Sequence, residues 1–249
     1  DAIRRACGVE KAAFEKGYQA FVRDRVKGGT RAEKPLTVAE LEAAHRKNPD
    51  DPDVAARLAA EYLRRGKPAE ARKLADAAMA RGHPGAAVVK ARILQRDKDP
   101  TGARAVLEEA ARENPDDPRL LAALGRLYLE LKEYEKAAAA FERVRTLGPV
   151  EPDVLAELAA AYESLGKSDP LAATLAEVAA RAPDDVGVRV RLARLHQAAG
   201  GRPDRVEHWA REALYVDVNH PEAKELLLAA LRAQKKDAEA AKVEDRYRP

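Results

Sequence analysis

The chain has 249 residues, with 45 basic against 42 acidic side chains, 46% hydrophobic residues and only 4% aromatics. The signs of charge are interspersed, which excludes a polybasic tract for nucleic acid or membrane surfaces, and no apolar run approaches the ~20 residues of a membrane-spanning helix. A single cysteine, Cys7, excludes an intrachain disulfide and leaves the redox compartment undecided. Alanine and leucine carry the apolar fraction, so the composition favours helices whose core comes from close contact at small residues.

Residues 1–34 read as an N-terminal helical hairpin or the tail of an upstream domain. A short helix at Ala2–Cys7 is broken by Gly8. A longer one follows, with Phe14, Tyr18 and Phe21 on one face at i, i+4 and i+7, and ends at Gly28-Gly29. Thr37–Lys47 predicts a lone helix within a half unit at 35–51, opening an array over 35–249.

From Pro52 one cassette recurs. The segment Asn48–Pro52 returns as Asn114–Pro118, and Ala182–Asp185 carries the same Pro-Asp-Asp. Pro84, Pro118 and Pro152 are spaced by 34 residues, and Pro52 to Pro84 by 32. Each interval holds an apolar helix, a short turn such as Gly66-Lys67-Pro68, Lys98-Asp99-Pro100, Gly166-Lys167 or Gly200-Gly201, and a second alanine-rich helix. Proline stops the helix before it and suits the first turn of the helix after it, while the neighbouring Asp residues cap that helix. The punctuation predicts helix–turn–helix units at 52–83, 84–117, 118–151, 152–185 and 186–220, with a polar capping pair at 221–249.

The unit from Pro118 shows the seam most fully: Leu121, Leu124-Gly125 and Tyr128 in its first helix, then Ala137, Phe141 and Val144, closed by Pro149. This resembles the tetratricopeptide repeat family. The neighbouring units keep Leu58-Ala59 and Tyr62, Ala91 and Ala103, Leu158-Ala159 and Tyr162, and Leu192-Ala193 and Ala210. Leu171 replaces the small residue of its second helix, so that pair is expected to sit wider. The resemblance implies an all-α, right-handed superhelical solenoid of antiparallel helix pairs that acts as a protein–protein scaffold or adaptor. The N-terminal segment, with Ala13-Phe14-Glu15, Tyr18 and Phe21, is similar to the closing helices of thermolysin-like metallopeptidase domains. That likeness implies the alternative role of accessory region in a larger zinc peptidase.

Catalytic and metal motifs are missing from the sequence. His-Glu-x-x-His is absent, and His45, His83, His196, His208 and His220 form no ligand-spaced cluster. Gly-x-Ser-x-Gly and the phosphate loop are absent too. The Asp-Asp pairs recur with the repeat and read as caps. Neither an enzymatic activity nor a small-molecule cofactor is expected.

Binding is expected on the first helices, which line the concave side of such an array. Positions off their seams include Arg57 and Arg64, Val88, Arg92 and Arg96, Ala122 and Arg126, then Val190 and Arg194. Arginine suits fork-like bonds to carboxylates, so an extended acidic segment or chain carboxylate is the expected ligand, with Ala and Val leaving room for its backbone. The carboxylate clamp for chaperone tails uses Lys and Asn in the groove, and Asn is absent there. RNA binding, possible for helical repeats, fits poorly with balanced charge and few aromatics. The Ala/Arg usage points to a GC-rich bacterium. Cytoplasm and periplasm stay open, with no signal or membrane segment in this sequence.

Overall fold

A computed structural model describes residues 36–198 and 202–246; the expected 1–34 hairpin and the Gly200-Gly201 turn lie outside the described residues. The chain divides into two compact units between Lys47 and Asn48. In the first, α1 (Val38–Lys47) opens on a capping box. The Thr37 amide donates to a Glu40 carboxylate oxygen at 2.6 Å, and the Glu40 amide donates to the Thr37 hydroxyl at 3.3 Å.

The second unit is an all-α solenoid of antiparallel pairs, with no strand among the described residues. The pairs are α2 (Pro52–Arg64) with α3 (Pro68–Met79), α4 (Pro84–Arg96) with α5 (Pro100–Glu113), and α6 (Pro118–Glu130) with α7 (Tyr134–Leu147). Then come α8 (Pro152–Ser164) with α9 (Ser168–Arg181), α10 (Val186–Ala198) with α11 (Pro203–Val216), and α12 (Pro221–Ala233) with α13 (Asp237–Arg246). Consecutive helices pack together, and the first helices of adjacent pairs also touch, α2 with α4, α4 with α6 and α6 with α8.

Local chemistry sets the helix ends. Asp51 accepts from the Asp53 and Val54 amides at 3.0 and 3.2 Å, Asp117 from the Arg119 amide at 2.8 Å, and Asp185 from the Val188 amide at 3.2 Å. First helices stop in a recurring turn. Gly66 and Lys132 take left-handed φ of 73° and 60°, and the next amides, of Lys67 and Glu133, donate to the Tyr62 and Tyr128 carbonyls at 2.8 Å.

In the first four pairs, the helices meet at a small residue and its partner sixteen positions later. A Cβ added to Gly125 would stand 2.5 Å from the fully buried Phe141 ring. In three other pairs alanine replaces that glycine and the partner is smaller than phenylalanine: Ala91 shares a core cluster with Leu107, Ala159 with Leu175, and Ala59 with Ala75. Leu171 is buried in the same cluster as Phe141 and Leu175.

Polar ties then hold successive pairs in register. The Tyr128 hydroxyl donates to Glu108 at 2.9 Å and that of Tyr162 to Glu142 at 2.5 Å, twenty residues back in each case. Burial, aided by Glu108, pushes the Tyr128 hydroxyl to about 12. Arg189, almost fully buried, has no carboxylate partner among the described residues. Its guanidinium donates to the Ala179, Ala182 and Asp185 carbonyls, closing the C-terminal end of α9. Near the end of the array Glu207 accepts from Lys236, Arg211 and Gln234 at 2.7–2.8 Å. Burial works to raise its carboxyl, but these hydrogen bonds outweigh it and hold it at about 2.

Two stability predictions arise here. Gly125→Ala is expected to lose about 1–3 kcal/mol through overlap with Phe141, offset in part by about 1 kcal/mol of helix propensity. Adding Phe141→Leu reproduces the Ala91/Leu107 pairing, so the double variant should be less destabilised than the two single changes summed, by about 1 kcal/mol in urea unfolding. Strict additivity would remove the packing explanation. Glu207 titrates near 2 folded against about 4.3 unfolded. Its contribution is therefore full above about pH 5 and is lost as pH falls through 4.3 toward 2. Glu207→Gln should cost about 1–3 kcal/mol at neutral pH and progressively less in acid, read from urea midpoints at several pH values. A pH-independent difference would contradict the assigned role.

Candidate peptide-binding groove

The first helices α2, α4 and α6, with the start of α8, form the walls of a groove of about 660 Å³. Its floor is apolar and small: Ala56, Ala60, Val88, Ala122 and Val154. The charged rim consists of Arg57, Arg92, Arg119 and Arg126 with Asp53, Glu151 and Asp153. A second groove of about 770 Å³ runs over the C-terminal halves of α2 and α4, with Arg64, Arg96, Glu61 and Glu130 on its walls. Ala60, Val89 and Arg92 belong to both, so the two hollows adjoin at Arg92.

Of the arginines singled out in sequence, most are already engaged. Arg57 pairs with Asp53 at 3.4 Å and Arg64 with Glu61 at 2.7 Å. Arg126 Nε donates to both Glu157 oxygens, at 2.8 and 3.0 Å. Arg96 donates to the Leu63 carbonyl at 3.1 Å. Arg92 is exposed, and no hydrogen bond or ion pair holds it among the described residues. The repeat register explains this. Arg92 and Arg126 occupy equivalent positions 34 residues apart, as do Ala123 and Glu157. Alanine therefore stands where the partner of Arg92 would be.

Val88 and Ala122 lie on the groove floor as small spacers. Arg194 lines neither groove; its guanidinium is bound by Glu222 of α12. Val190, expected to face outward, is buried with Ala193 and Val206. Valines at 186, 188 and 190 give α10 no single apolar stripe, and neighbours cover Val190. Sequence reading missed Arg119, although it lies on the same helical stripe as Ala122 and Arg126, at i, i+3 and i+7. Arg119 is held by Asp117 at 2.7 and 3.1 Å. Burial works to raise the Asp117 carboxyl, but the Arg119 bonds outweigh it and lower it.

His83 and Glu151 stand at the cap positions that Asp51 and Asp117 occupy in the flanking pairs, and neither side chain caps its helix. His83 Nε2 lies 3.6 Å from Asp53, and its Nδ1 is buried without a partner. Among the described residues no three His, Cys, Asp or Glu side chains converge on a metal-sized site, and no helix is long and apolar enough to cross a membrane.

A stack of helix pairs with an apolar, charge-rimmed hollow on its first helices defines a protein-interaction scaffold of the helical-repeat class. Two tetratricopeptide repeat profiles match the chain, at residues 57–118 and 94–162, so this stretch is similar to the tetratricopeptide repeat family. Among solved structures it is similar to TTC0263, a thermophilic TPR protein of Thermus thermophilus. Identity there is 26%, over 76% of this chain and 100% of that one, with a TM-score of 0.52. YrrB, a TPR protein with an unusual peptide-binding site, matches at 13% identity over 84% and 91% of the two chains, with a TM-score of 0.50. The human IFIT1 dimer with PPP-AAAA matches at 19% identity over 91% of this chain, with a TM-score of 0.55. The chain spans 61% of IFIT1 and 39% of the chain it matches in the APC/C hetero-tetramer Cut9-Hcn1. A comparison with curated proteins returns no significant match. Proteins of this family and fold are typically non-enzymatic scaffolds.

Proposed function

We propose that the array holds an extended segment of a partner protein across α2, α4 and α6, with a carboxylate of that segment on Arg92. The observation that carries this reading is the unengaged Arg92 guanidinium where two hollows meet, beside the small side chains of Ala60, Val88 and Val89. A guanidinium presents a planar fork to a carboxylate, and an exposed, unpaired one need break no internal bond to do so. Arg96 and Arg126 contribute less, because the Leu63 carbonyl and Glu157 already hold them. In this reading the repeats are counted as 52–83, 84–117, 118–151, 152–185 and 186–220, with 221–249 as the closing pair and 35–51 a half unit before them in sequence. YrrB, described by its peptide-binding site, supports the general mode through shared fold alone.

Two other readings have less behind them. A role as accessory region of a zinc peptidase rests on residues 1–34, outside the described residues. RNA binding calls for stacking aromatics and excess positive charge, whereas the chain has 4% aromatics and 45 basic against 42 acidic side chains.

The test is fluorescence anisotropy of the full chain with a blocked, labelled glutamate-rich octapeptide at low salt. Arg92→Glu should weaken binding at least about tenfold by setting like charges against each other. Ala123→Glu, which copies the Arg126–Glu157 pair onto Arg92, should weaken it several-fold while leaving the arginine in place. Arg126→Ala should change it little. Unchanged binding by Arg92→Glu would sink the groove reading, and a steep loss with salt that RNA shares and outcompetes would favour the nucleic-acid one.

A further inference from the structure

The first groove has a second charged end. Glu151 and Asp153 lie on its rim at the start of α8; both are exposed, and neither side-chain carboxylate has a hydrogen bond or ion pair among the described residues. The charges between them and Arg92 are neutralised within the protein, Arg119 by Asp117 and Arg126 by Glu157. The helix N-terminus beneath them adds only about half a positive charge, which two carboxylates outweigh. The groove therefore has a free cation on α4, free anions on α8, and the apolar floor of Val88, Ala122 and Val154 between.

We propose that this groove selects a bipolar segment. The segment would carry a carboxylate for Arg92 and a lysine or arginine for Glu151 and Asp153, with small apolar side chains between. This rests on the groove reading above and replaces a uniformly acidic ligand with a directional one. Neighbouring packed helices lie about 8–10 Å apart, so α4 to α8 is two such steps. Arg92 stands eight residues along its helix from Pro84, an axial offset of roughly 12 Å. The diagonal is on the order of 20 Å, which an extended segment covers in about six residues. Opposite charges at that spacing meet both ends together; a reversed segment sets like charges against each other at both.

Four blocked, labelled octapeptides on an alanine/valine background provide the test, measured by anisotropy on the full chain. Two carry glutamate and lysine six positions apart, one in each order. The other two carry glutamate, or lysine, at both positions. One mixed peptide should bind tightest, about three- to tenfold tighter than the two-glutamate peptide, as rim ion pairs allow. The variant Glu151→Lys/Asp153→Lys should reverse that preference in favour of the two-glutamate peptide; both sites are exposed, and circular dichroism checks that folding is retained. The proposal is overturned if the two-glutamate peptide binds the wild type at least as tightly as both mixed ones. It is equally overturned if the lysine variant leaves the preference unchanged while Arg92→Glu abolishes binding, an outcome under which the simpler acidic reading survives. If Arg92→Glu leaves every peptide unaffected, or no peptide binds at millimolar concentration, both readings fall.

Discussion

Everything in the array depends on how closely the two helices of a pair approach. At Gly125 the backbone comes near enough to Phe141 that even a methyl group would overlap the ring. Three other pairs reach the same result with alanine against leucine or alanine. A chain with 4% aromatics cannot fill wide gaps between helices, so its core is made from short distances and small residues. That closeness fixes how each pair presents its first helix, and the first helices of adjacent pairs then touch to make one surface.

Stacking turns charges into a pattern. Arginines that look alike in sequence become different once the pairs are laid side by side, because a carboxylate from the next pair reaches some of them and not others. Arg126 meets Glu157, while Arg92 faces the position of Ala123. The same logic acts at the helix starts. Asp51 and Asp117 spend their carboxylates on backbone amides, whereas Glu151 leaves its own unused. The binding surface is thus defined by which charges the scaffold leaves over after its own bonds are satisfied.

Helix starts, turns and seams were legible in the sequence because they are local. Proline and aspartate act within a few residues, and a 34-residue recurrence exposes the seam positions. Parts of the groove were legible for the same reason: Arg57, Val88, Arg92, Ala122 and Arg126 follow the helical period and do line one hollow. Arg119 shares their stripe and could have been included. Val190 and Arg194 failed because α10 has no single apolar stripe and because Glu222, 28 residues later, reaches back to Arg194.

By itself, then, the sequence determined the all-α class, the places where helices begin and end, and the scaffold role of the family, all of which rest on short-range sterics, capping and period. Only the tertiary structure decided which arginines remain free, that Glu151 and Asp153 face the same hollow as Arg92, and that Arg189 lies buried against carbonyls. The physical reason is that an ion pair depends on distance in space. Two residues about thirty positions apart in the chain come within 3 Å of each other only when the stacking register is set.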